Sequence, residues 1–115
     1  MFPKPNRLPS ESFRHIFKTG KRVRGEDVLL IISHNALPIS RFAVQVGVKI
    51  AKRAVKRNRM KRLIRESIRH LIPTIKPGLD SIIIAQKNFA ENKQQIIEDE
   101  LVKILNITKH MGGVR

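Results

Sequence analysis

The apolar residues near the start of the chain follow the spacing of a helix. Phe13, Ile16 and Phe17 recur at positions i, i+3 and i+4, so their side chains share one helix face. A glycine often ends a helix because it adopts backbone conformations that other residues avoid. The pattern therefore predicts a short helix over about residues 10–19 that Gly20 ends.

Two longer segments show helical spacing in the second half of the chain. The first ends before Pro73, since proline disrupts a helix interior. The second begins near Asn92, and the acidic residues in its first turns complement the helix dipole. The first apolar stripe comprises Met60, Leu63, Ile64, Ser67, Ile68 and Leu71, and the second comprises Ile97, Leu101, Ile104, Leu105 and Thr108.

Three other segments have the pattern of strands. Residues 28–33 and 79–86 are apolar and rich in β-branched side chains, as buried strands are. Residues 42–50 alternate between apolar and smaller or polar residues, which is the strand period. Because a short turn joins the first of these segments to residues 42–50, we expect the two strands to pair antiparallel. Residues 21–24 form a basic connector that can add one short strand.

The order of these elements predicts a small sheet with about three helices packed on it, in a single α/β domain that spans residues 1–115. Residues 1–9 are basic and rich in proline, which indicates an extended N-terminal arm. Residues 111–115 include two glycines and are predicted to be a frayed tail. No segment has the composition of a linker between domains.

The charge of the chain is strongly positive and unevenly placed. The sequence has 24 Lys or Arg residues against 9 Asp or Glu residues, a formal net charge of +15. Residues 1–70 carry +14 of this charge, whereas residues 71–115 carry +1. A surface that binds a polyanion should therefore be built mostly by the first 70 residues.

The densest basic segment spans residues 52–65, where eight of fourteen residues are Lys or Arg and none is acidic. Such self-repulsion is tolerable when phosphates neutralise it. Arginine predominates, and its guanidinium can bind a phosphate through two parallel hydrogen bonds. Asn58 adds a neutral donor and acceptor. Apolar residues inside the segment tie it to a core, so we expect a structured nucleic-acid surface with steep salt dependence rather than a loose tail.

Arg57 does not fit the simple picture of a solvated charged helix. At ~100° per residue, it falls between Ile64 and Ile68 of the apolar stripe. Two interpretations remain open. Either the helix begins after Arg57, or Arg57 is held at the edge of the core with a defined role. Both make residues 52–58 a structured approach to the helix, and a helix N-terminus is itself a good phosphate site.

The remaining composition argues against several other classes of protein. The chain has no Cys, which removes disulfides and thiolate metal sites. Its apolar runs are far shorter than the ~20 residues that span a bilayer, and we expect a cytoplasmic protein. The acids are scattered, and the three at 98–100 are consecutive on a helix and cannot converge on one metal. Unpaired spacing favours surface roles for the histidines, which are His15, His34, His70 and His110.

The segment from Arg57 to Glu66, which reads RNRMKRLIRE, resembles the signature of the protein subunit of bacterial ribonuclease P. The pattern Phe13-x-x-Ile16-Phe17-Lys18-x-Gly20 is similar to the N-terminal pattern of that family. The resemblance covers roughly residues 5–108. It implies a two-layer α/β sandwich with a mixed sheet and a left-handed βαβ crossover, related to a domain of a ribosomal protein.

The resemblance also implies a function. In this family a catalytic RNA hydrolyses precursor tRNA and releases the 5′ leader, with Mg²⁺ expected for the RNA-catalysed reaction, and the protein is a cofactor of that RNA. No metal ion is assigned to the protein and no protein partner is evident. The residues expected to bind the catalytic RNA are Lys49, Lys52, Arg53, Lys56, Arg57, Asn58, Arg59, Lys61, Arg62 and Arg65.

A second site follows from the resemblance, a cleft between the first helix and the sheet that receives the single-stranded leader. Phe13 and Phe17 match its aromatic positions, and Ile31 lies on a strand where relatives often carry Phe or Tyr. Aromatic rings suit unstacked bases, although Phe13 and Phe17 also form an apolar stripe that can simply be core. The sequence departs from the family at Ala43 and Val48, where a glycine and a lysine are usual.

Other functions share part of this pattern. A ribosomal protein or a general RNA chaperone would have the same charge and fold class, and only the motif at residues 57–65 together with the N-terminal helix separates them. A basic helix on a membrane surface would need bulky apolar residues on a free face.

Overall fold

The computed structural model describes residues 3–109 and the side chains of residues 3–106. Short 3₁₀ turns at Lys4–Asn6, Ser10–Ser12 and Ile72–Thr74 flank the longer elements. In chain order, those elements are α1 (Phe13–Thr19), β1 (Lys21–Arg24), β2 (Val28–His34), β3 (Arg41–Gln45), α2 (Ala54–Leu71), β4 (Leu79–Ala85) and α3 (Gln94–Lys109). The predicted three helices and the extra short strand are confirmed, whereas the tail at 111–115 lies outside the described residues.

The four strands form one mixed sheet in the order β1-β2-β4-β3. β2 pairs antiparallel with both β1 and β4, and β3 pairs parallel with β4. The predicted antiparallel pairing of β2 with β3 is therefore wrong, because β4 lies between them. The chain leaves β3, forms α2 and returns as β4, so two parallel neighbours are joined by a helical crossover, as parallel pairing requires.

β3 is shorter than the alternation of residues 42–50 predicts, since it ends at Gln45. The backbone N–H groups of Ile50 and Ala51 both donate to the carbonyl of Gly47, which turns the chain out of the sheet. Val46 and Ala51 are still buried. The apolar residues beyond Gln45 therefore belong to a loop, whose Val46 and Ala51 side chains pack into the core, and not to the strand.

α2 and α3 cover one face of the sheet and enclose the larger core. Met60, Ile64 and Ile68 of α2 are at most 1 % exposed, which confirms the predicted stripe. The stripe of α3 is buried through Ile104, while the side chain of Thr108 lies outside the described residues. The sheet contributes Val23, Val28, Leu30, Ile32, Phe42, Leu79, Ile83 and Ala85 to this core.

α1 packs on the opposite face over a smaller cluster. The chain approaches from β3, where the N–H of Leu8 donates to the carbonyl of Phe42, and contacts β4 and β2 before it enters β1. Leu8 is buried, so the predicted arm is anchored at this point. The cluster is formed by Leu8, Ile16, Leu29, Ile31 and Ile82.

Close packing explains why a glycine follows α1. A Cβ atom at Gly20 would lie 2.6 Å from the carbonyl oxygen of Ile16 and 2.7 Å from Cγ2 of Ile31. Any larger residue would push the end of α1 away from the sheet. The helix therefore ends at Gly20 as predicted, but because of space rather than a left-handed backbone, since the φ angle is −70°.

An ion pair fastens the beginning of β3 to β4. The guanidinium of Arg41 donates from Nε and Nη2 to the two carboxylate oxygens of Asp80, over 2.9 and 2.6 Å. Asn35 donates to the same carboxylate over 2.7 Å. This bidentate contact raises the pKa of Arg41 above its ordinary value. Both charges are thus satisfied within the protein at the edge of the sheet remote from the N-terminus of α2.

Candidate functional site

The structure resolves the two interpretations of Arg57. α2 begins at Ala54, so Arg57 lies inside the helix and not before it. Its Nη1 atom donates to the carbonyl oxygens of Ala51 and Lys52, over 2.9 and 2.8 Å. The half-buried guanidinium therefore holds the β3–α2 loop against the first turn of the helix, which is the defined role that the second interpretation requires.

Two more cations of α2 also have partners within the chain. Lys56 forms an ion pair with Glu91, and Nε of Arg59 donates to the carbonyl of Ala90. The same ion pair lowers the pKa of the exposed Glu91 carboxyl below its ordinary value. These contacts attach the loop between β4 and α3 to the flank of α2, while Phe89 of that loop is buried in the core.

The face of α2 opposite the core carries polar side chains that a ligand can reach. Asn58, Arg62 and Arg65 are spaced i, i+4 and i+7 and project from neighbouring turns. Together with Glu66 they line a shallow cavity of about 300 Å³. Lys61 lies beside Arg65 on the preceding turn. The apolar stripe fixes the helix so that this face points to solvent.

Seven of the ten predicted RNA-binding residues make no side-chain hydrogen bond or ion pair within residues 3–106. We call these residues the basic surface. They share positive charge or amide hydrogen-bonding capacity, and they lie on the β3–α2 loop or on α2. The basic surface consists of Lys49, Lys52, Arg53, Asn58, Lys61, Arg62 and Arg65.

Glu66 is the one acidic residue in the sequence of α2, and Arg69 neutralises it. Nε and Nη2 of Arg69 donate to the two carboxylate oxygens over 3.0 and 2.9 Å. This hydrogen bonding lowers the pKa of Glu66 below its ordinary value and raises that of Arg69. Because Arg69 takes the only carboxylate on the helix, the charge of Arg62 and Arg65 stays uncompensated.

The N-terminus of α2 adds to this positive potential. No side chain caps the helix at Arg53, and its first turn has no acidic residue. The unpaired N–H groups of a first turn act as a partial positive charge, so the cations gathered there are unfavourable in isolation. A bound anion reverses that penalty, which is why helix N-termini commonly hold phosphates.

The residues assigned to the predicted cleft between α1 and the sheet differ in their exposure. Phe13 and Phe17 are half-buried on the flank of α1. Ile31 is 0 % exposed, so its assignment as a leader-contacting residue is wrong. Gly20 and Ile16 pack directly on that strand and close it off from solvent.

Other residues form the accessible floor of the cleft. On the face that carries α1, the strand register aligns Arg24 of β1 with Leu29, Ile84 and Gln45 across the sheet. Ile84 and Ala43 are half-buried and pack against the same cluster as the two phenylalanines. Nothing in the sequence showed which part of this face α1 leaves open.

β3 joins the cleft to the basic surface. Gln45 is the last residue of β3 and stands at one end of the floor. The β3–α2 loop, which carries Lys49, Lys52 and Arg53, starts directly after it. The basic surface therefore lies beside one end of the predicted cleft.

Neither a metal site nor a membrane span appears in the part of the chain that the structure describes. No three His, Asp or Glu side chains gather closely enough to hold a metal ion. No described helix is both long and apolar enough to cross a bilayer. What the described residues offer chemically is hydrogen bonding, positive charge and an apolar cleft.

Comparison with other sequences gives a consistent result. A sequence model of the family described as Ribonuclease P matches residues 2–109. The chain is 33% identical over 104 residues to the ribonuclease P protein component of Picosynechococcus, with 90% of each chain covered. It is 39% identical over 99 residues to that of Pseudomonas aeruginosa, covering 84% of this chain and 72% of the relative.

Solved structures show the same relationship. The fold matches the ribonuclease P protein from Thermotoga maritima with a TM-score of 0.79 at 28% identity, over 88% of this chain and 96% of that protein. It matches the Staphylococcus aureus ribonuclease P protein with a TM-score of 0.79 at 27% identity, over 90% and 95% of the two chains. With sequence and fold in agreement, the chain belongs to the ribonuclease P protein family.

Proposed function

We propose that this chain is the protein subunit of bacterial ribonuclease P, which binds the catalytic RNA and the 5′ leader of precursor tRNA. The observation that carries the proposal is the uncompensated charge of α2 in a member of this family. Arg62 and Arg65 face solvent without an internal counter-charge, whereas the only acid of the helix is neutralised by Arg69. A polyanion supplies the missing charge.

The basic surface is proposed to dock the catalytic RNA. Each phosphate that it neutralises releases counterions, so affinity should fall steeply as salt increases. One face of α2 can donate hydrogen bonds to phosphates or base edges from Asn58, Arg62 and Arg65. The β3–α2 loop and the N-terminus of the helix bind neighbouring phosphates. Three further cations shape this surface, because each forms a hydrogen bond or ion pair within the chain. They are Lys56, Arg57 and Arg59.

The cleft is proposed to receive the single-stranded leader. Phe13 and Phe17 offer half-exposed ring edges and faces, and Ile84 and Ala43 offer an apolar floor. Stacking on an aromatic residue contributes about 1–3 kcal/mol per base. Because the chain has no Tyr or Trp, such stacking is limited to phenylalanine. The position of the cleft beside the basic surface would let one substrate and one RNA be held together.

Cleavage itself is proposed to be carried out by the RNA subunit. Metal-dependent hydrolysis of a phosphodiester uses carboxylates that converge on metal ions. The described residues do not bring three such ligands together. The Mg²⁺ ions of the reaction are accordingly assigned to the RNA, and this chain supplies binding and orientation.

The other functions considered for the sequence fit the molecule less well. The relatives are ribonuclease P protein components, which does not favour a ribosomal protein or a general RNA chaperone. A membrane-surface helix would expose its apolar residues, but Met60, Ile64 and Ile68 are committed to the core.

Reconstitution tests the proposed function. The purified chain is added to a bacterial ribonuclease P RNA at a magnesium concentration too low for the RNA alone, and precursor tRNA cleavage is measured. We expect cleavage at the mature 5′ end only when both components are present. Replacing Arg62 and Arg65 with Ala should abolish this rescue at low protein concentration, whereas Lys93→Ala/Lys103→Ala, which removes two exposed cations elsewhere, should not. Cleavage by the chain alone would refute the assignment of catalysis to RNA.

The leader assignment needs a separate measurement. Holoenzymes with the native chain and with Phe17→Ala are compared on substrates with a long leader and with a one-nucleotide leader. We expect Phe17→Ala to weaken binding of the long-leader substrate by roughly tenfold and to leave the short one unchanged. An equal loss on both substrates would mean that Phe17 only packs against the core.

A further inference from the structure

A carboxylate lies among the cations on the solvent face of α2. The cavity of about 300 Å³ on this face is lined by Asn58, Arg62, Arg65 and Glu66. Arg62 and Arg65 have no ion-pair partner in the described part of the chain, and the side chain of Asn58 is exposed. The residues that line the cavity therefore offer several hydrogen-bond donors and one carboxylate acceptor.

Phosphate binding alone does not account for Glu66 in this position. A carboxylate repels phosphate oxygens, so a surface that only followed an RNA backbone would bind more tightly without it. A purely structural role accounts for little, because an exposed ion pair between residues three apart on a helix adds little stability. The Glu66 side chain is 32% exposed, so a ligand in the cavity can reach it.

Arg69 fixes the direction of this carboxylate without using all of its hydrogen-bonding capacity. Nε and Nη2 of Arg69 donate to separate oxygens of Glu66, over 3.0 and 2.9 Å. An ionised carboxylate can accept about four hydrogen bonds, so each oxygen keeps a further lone pair. The same contact lowers the pKa of Glu66, which keeps the group ionised at neutral pH. Glu66 is thus an oriented acceptor that a ligand can reach.

The edge of an unpaired base matches this set of groups better than a phosphate does. Adenine and cytosine carry an amino group directly beside a ring nitrogen that accepts a hydrogen bond. Glu66 can accept from the amino group while Asn58 or a guanidinium donates to the ring nitrogen. Guanine and uracil present an oxygen and a ring N–H at the same places, so they would set an acceptor against the carboxylate. Guanidinium planes also stack on bases that RNA splays out.

On the basis of the function proposed above, we propose that this cavity holds an unpaired adenine or cytosine of the catalytic RNA, with Glu66 accepting a hydrogen bond from its amino group. Arg69 acts as a positioning residue for that carboxylate. Arg62 and Arg65 serve the base and the phosphates on either side of it. The solvent face of α2 therefore selects RNA by base as well as by charge.

Two homopolymers that differ only in their base test the site by itself. Poly(C) and poly(U) have the same backbone, but only cytosine carries the amino group. We expect the native chain to bind poly(C) about fivefold to tenfold more tightly than poly(U) at equal salt. Glu66→Gln should bring this ratio close to 1, because the glutamine amide can rotate to present either its oxygen or its amino group. Asp99→Asn, which removes an exposed acid of α3, should keep the native ratio.

Two results of this measurement would overturn the proposal. One is equal binding of the two polymers by the native chain. The other is a ratio that Glu66→Gln leaves unchanged while both polymers bind more tightly by the same factor, which is the result expected if Glu66 only repels phosphates.

Arg69 needs its own readout, because it acts through Glu66. Arg69→Ala should lower the preference for poly(C) over poly(U), and in the Glu66→Gln background it should leave the ratio near 1. Loss of a phosphate contact weakens binding of both polymers equally, so the ratio isolates the positioning effect. If Arg69→Ala weakens both by the same factor, Arg69 does not position the carboxylate.

Probing with dimethyl sulfate locates the base in the catalytic RNA. The reagent methylates N1 of adenine and N3 of cytosine where these atoms are unpaired, and these are the ring nitrogens that the cavity would cover. In the complex with a bacterial ribonuclease P RNA, we expect the native chain and Asp99→Asn to protect such a base. Glu66→Gln should restore its reactivity at a protein concentration that saturates the RNA. Identical protection by all three proteins would contradict the proposed site.

Failure of the base site can be distinguished from failure of the proposed function. If the chain rescues the RNA at low magnesium but shows no preference between the polymers, the base site is wrong and the RNA-binding function stands. If the chain does not rescue the RNA, the function proposed above is refuted, and the assignment of the base to the catalytic RNA is refuted with it.

Discussion

Two regions of this molecule use arginine in opposite ways. At the start of β3, Arg41 meets Asp80 in a bidentate ion pair, and the chain itself satisfies both charges. On α2, Arg62 and Arg65 have no counter-charge within the described residues. The comparison teaches that a high count of arginine does not measure a binding surface. What matters is whether the fold supplies the anion.

Arg57 and Arg59 stand between these two regions. Each donates to backbone carbonyls rather than to a carboxylate, so each fixes a loop while keeping its positive charge. The basic segment that looked uniform in the sequence thus contains residues that shape the surface and residues that are free to bind. The predictions below separate stability from RNA affinity at these three kinds of site.

The largest change in stability is expected for Asp80→Ala. It would leave Arg41, whose side chain is only 20% exposed, without its partner and would also remove the acceptor of Asn35. We expect a loss of about 3 kcal/mol in the free energy of unfolding, measured by urea denaturation. Asp99→Ala, which alters an exposed acid of α3, should change it by less than about 0.5 kcal/mol. If Asp80→Ala is equally mild, the contrast between the two regions is lost.

The largest change in affinity is expected for Arg62→Ala/Arg65→Ala. Charge-assisted contacts contribute about 1.5–3 kcal/mol each, so binding of the catalytic RNA should weaken by at least about a hundredfold in a filter-binding titration. The free energy of unfolding should stay within about 0.5 kcal/mol of the native chain, because neither side chain has an internal partner. A comparable loss of stability would show that these arginines are structural.

Arg57→Ala should affect both quantities moderately. Losing two hydrogen bonds to the β3–α2 loop should cost about 1–2 kcal/mol of stability. RNA affinity should decrease several-fold more than one lost charge explains, because Lys52 and Arg53 lose their fixed positions. Arg57→Lys keeps the charge and serves as the control. If it restores RNA affinity fully, the guanidinium fork has no role in shaping the loop.

The smallest effect is expected at the turn beside the ion pair. Ala36 has a φ angle of 59°, a left-handed conformation that costs a residue with a Cβ about 1 kcal/mol. Ala36→Gly should therefore raise the free energy of unfolding by about 0.5 kcal/mol, seen as a slightly higher melting temperature, and leave RNA affinity unchanged. Replacing Gly78, whose φ angle is 96°, with Ala should do the opposite. A loss of stability for Ala36→Gly would contradict this reading of the turn.

Local patterns predicted the helices well, because their apolar stripes are contiguous in sequence. Met60, Ile64 and Ile68 recur along one segment and pack on one sheet face. The partner of β3 could not be found in the same way. β3 pairs with a strand more than thirty residues away, and the short turn after β2 favoured a hairpin that the sheet does not contain. Strand pairing depends on contacts across the whole fold.

The sequence identified the cations around the N-terminus of α2, but not which of them have partners within the chain. Helical spacing showed that Arg57 conflicts with the core stripe and left two interpretations open. Only the structure shows its hydrogen bonds to the carbonyls of Ala51 and Lys52. Nothing in the spacing revealed that Ala90 and Glu91 would engage Arg59 and Lys56, since those residues come from a distant loop. Ile31 was misplaced for a related reason, because periodicity does not show which part of a sheet a short helix covers.

The central claim is that the unpaired cations of α2 bind ribonuclease P RNA. The most direct test is the salt dependence of RNA affinity for the native chain and for Arg62→Ala/Arg65→Ala, measured between low and moderate salt. The account predicts a steep negative slope of log K against log salt for the native chain, reduced by about 2 in the double variant. An unchanged slope in the double variant would contradict it.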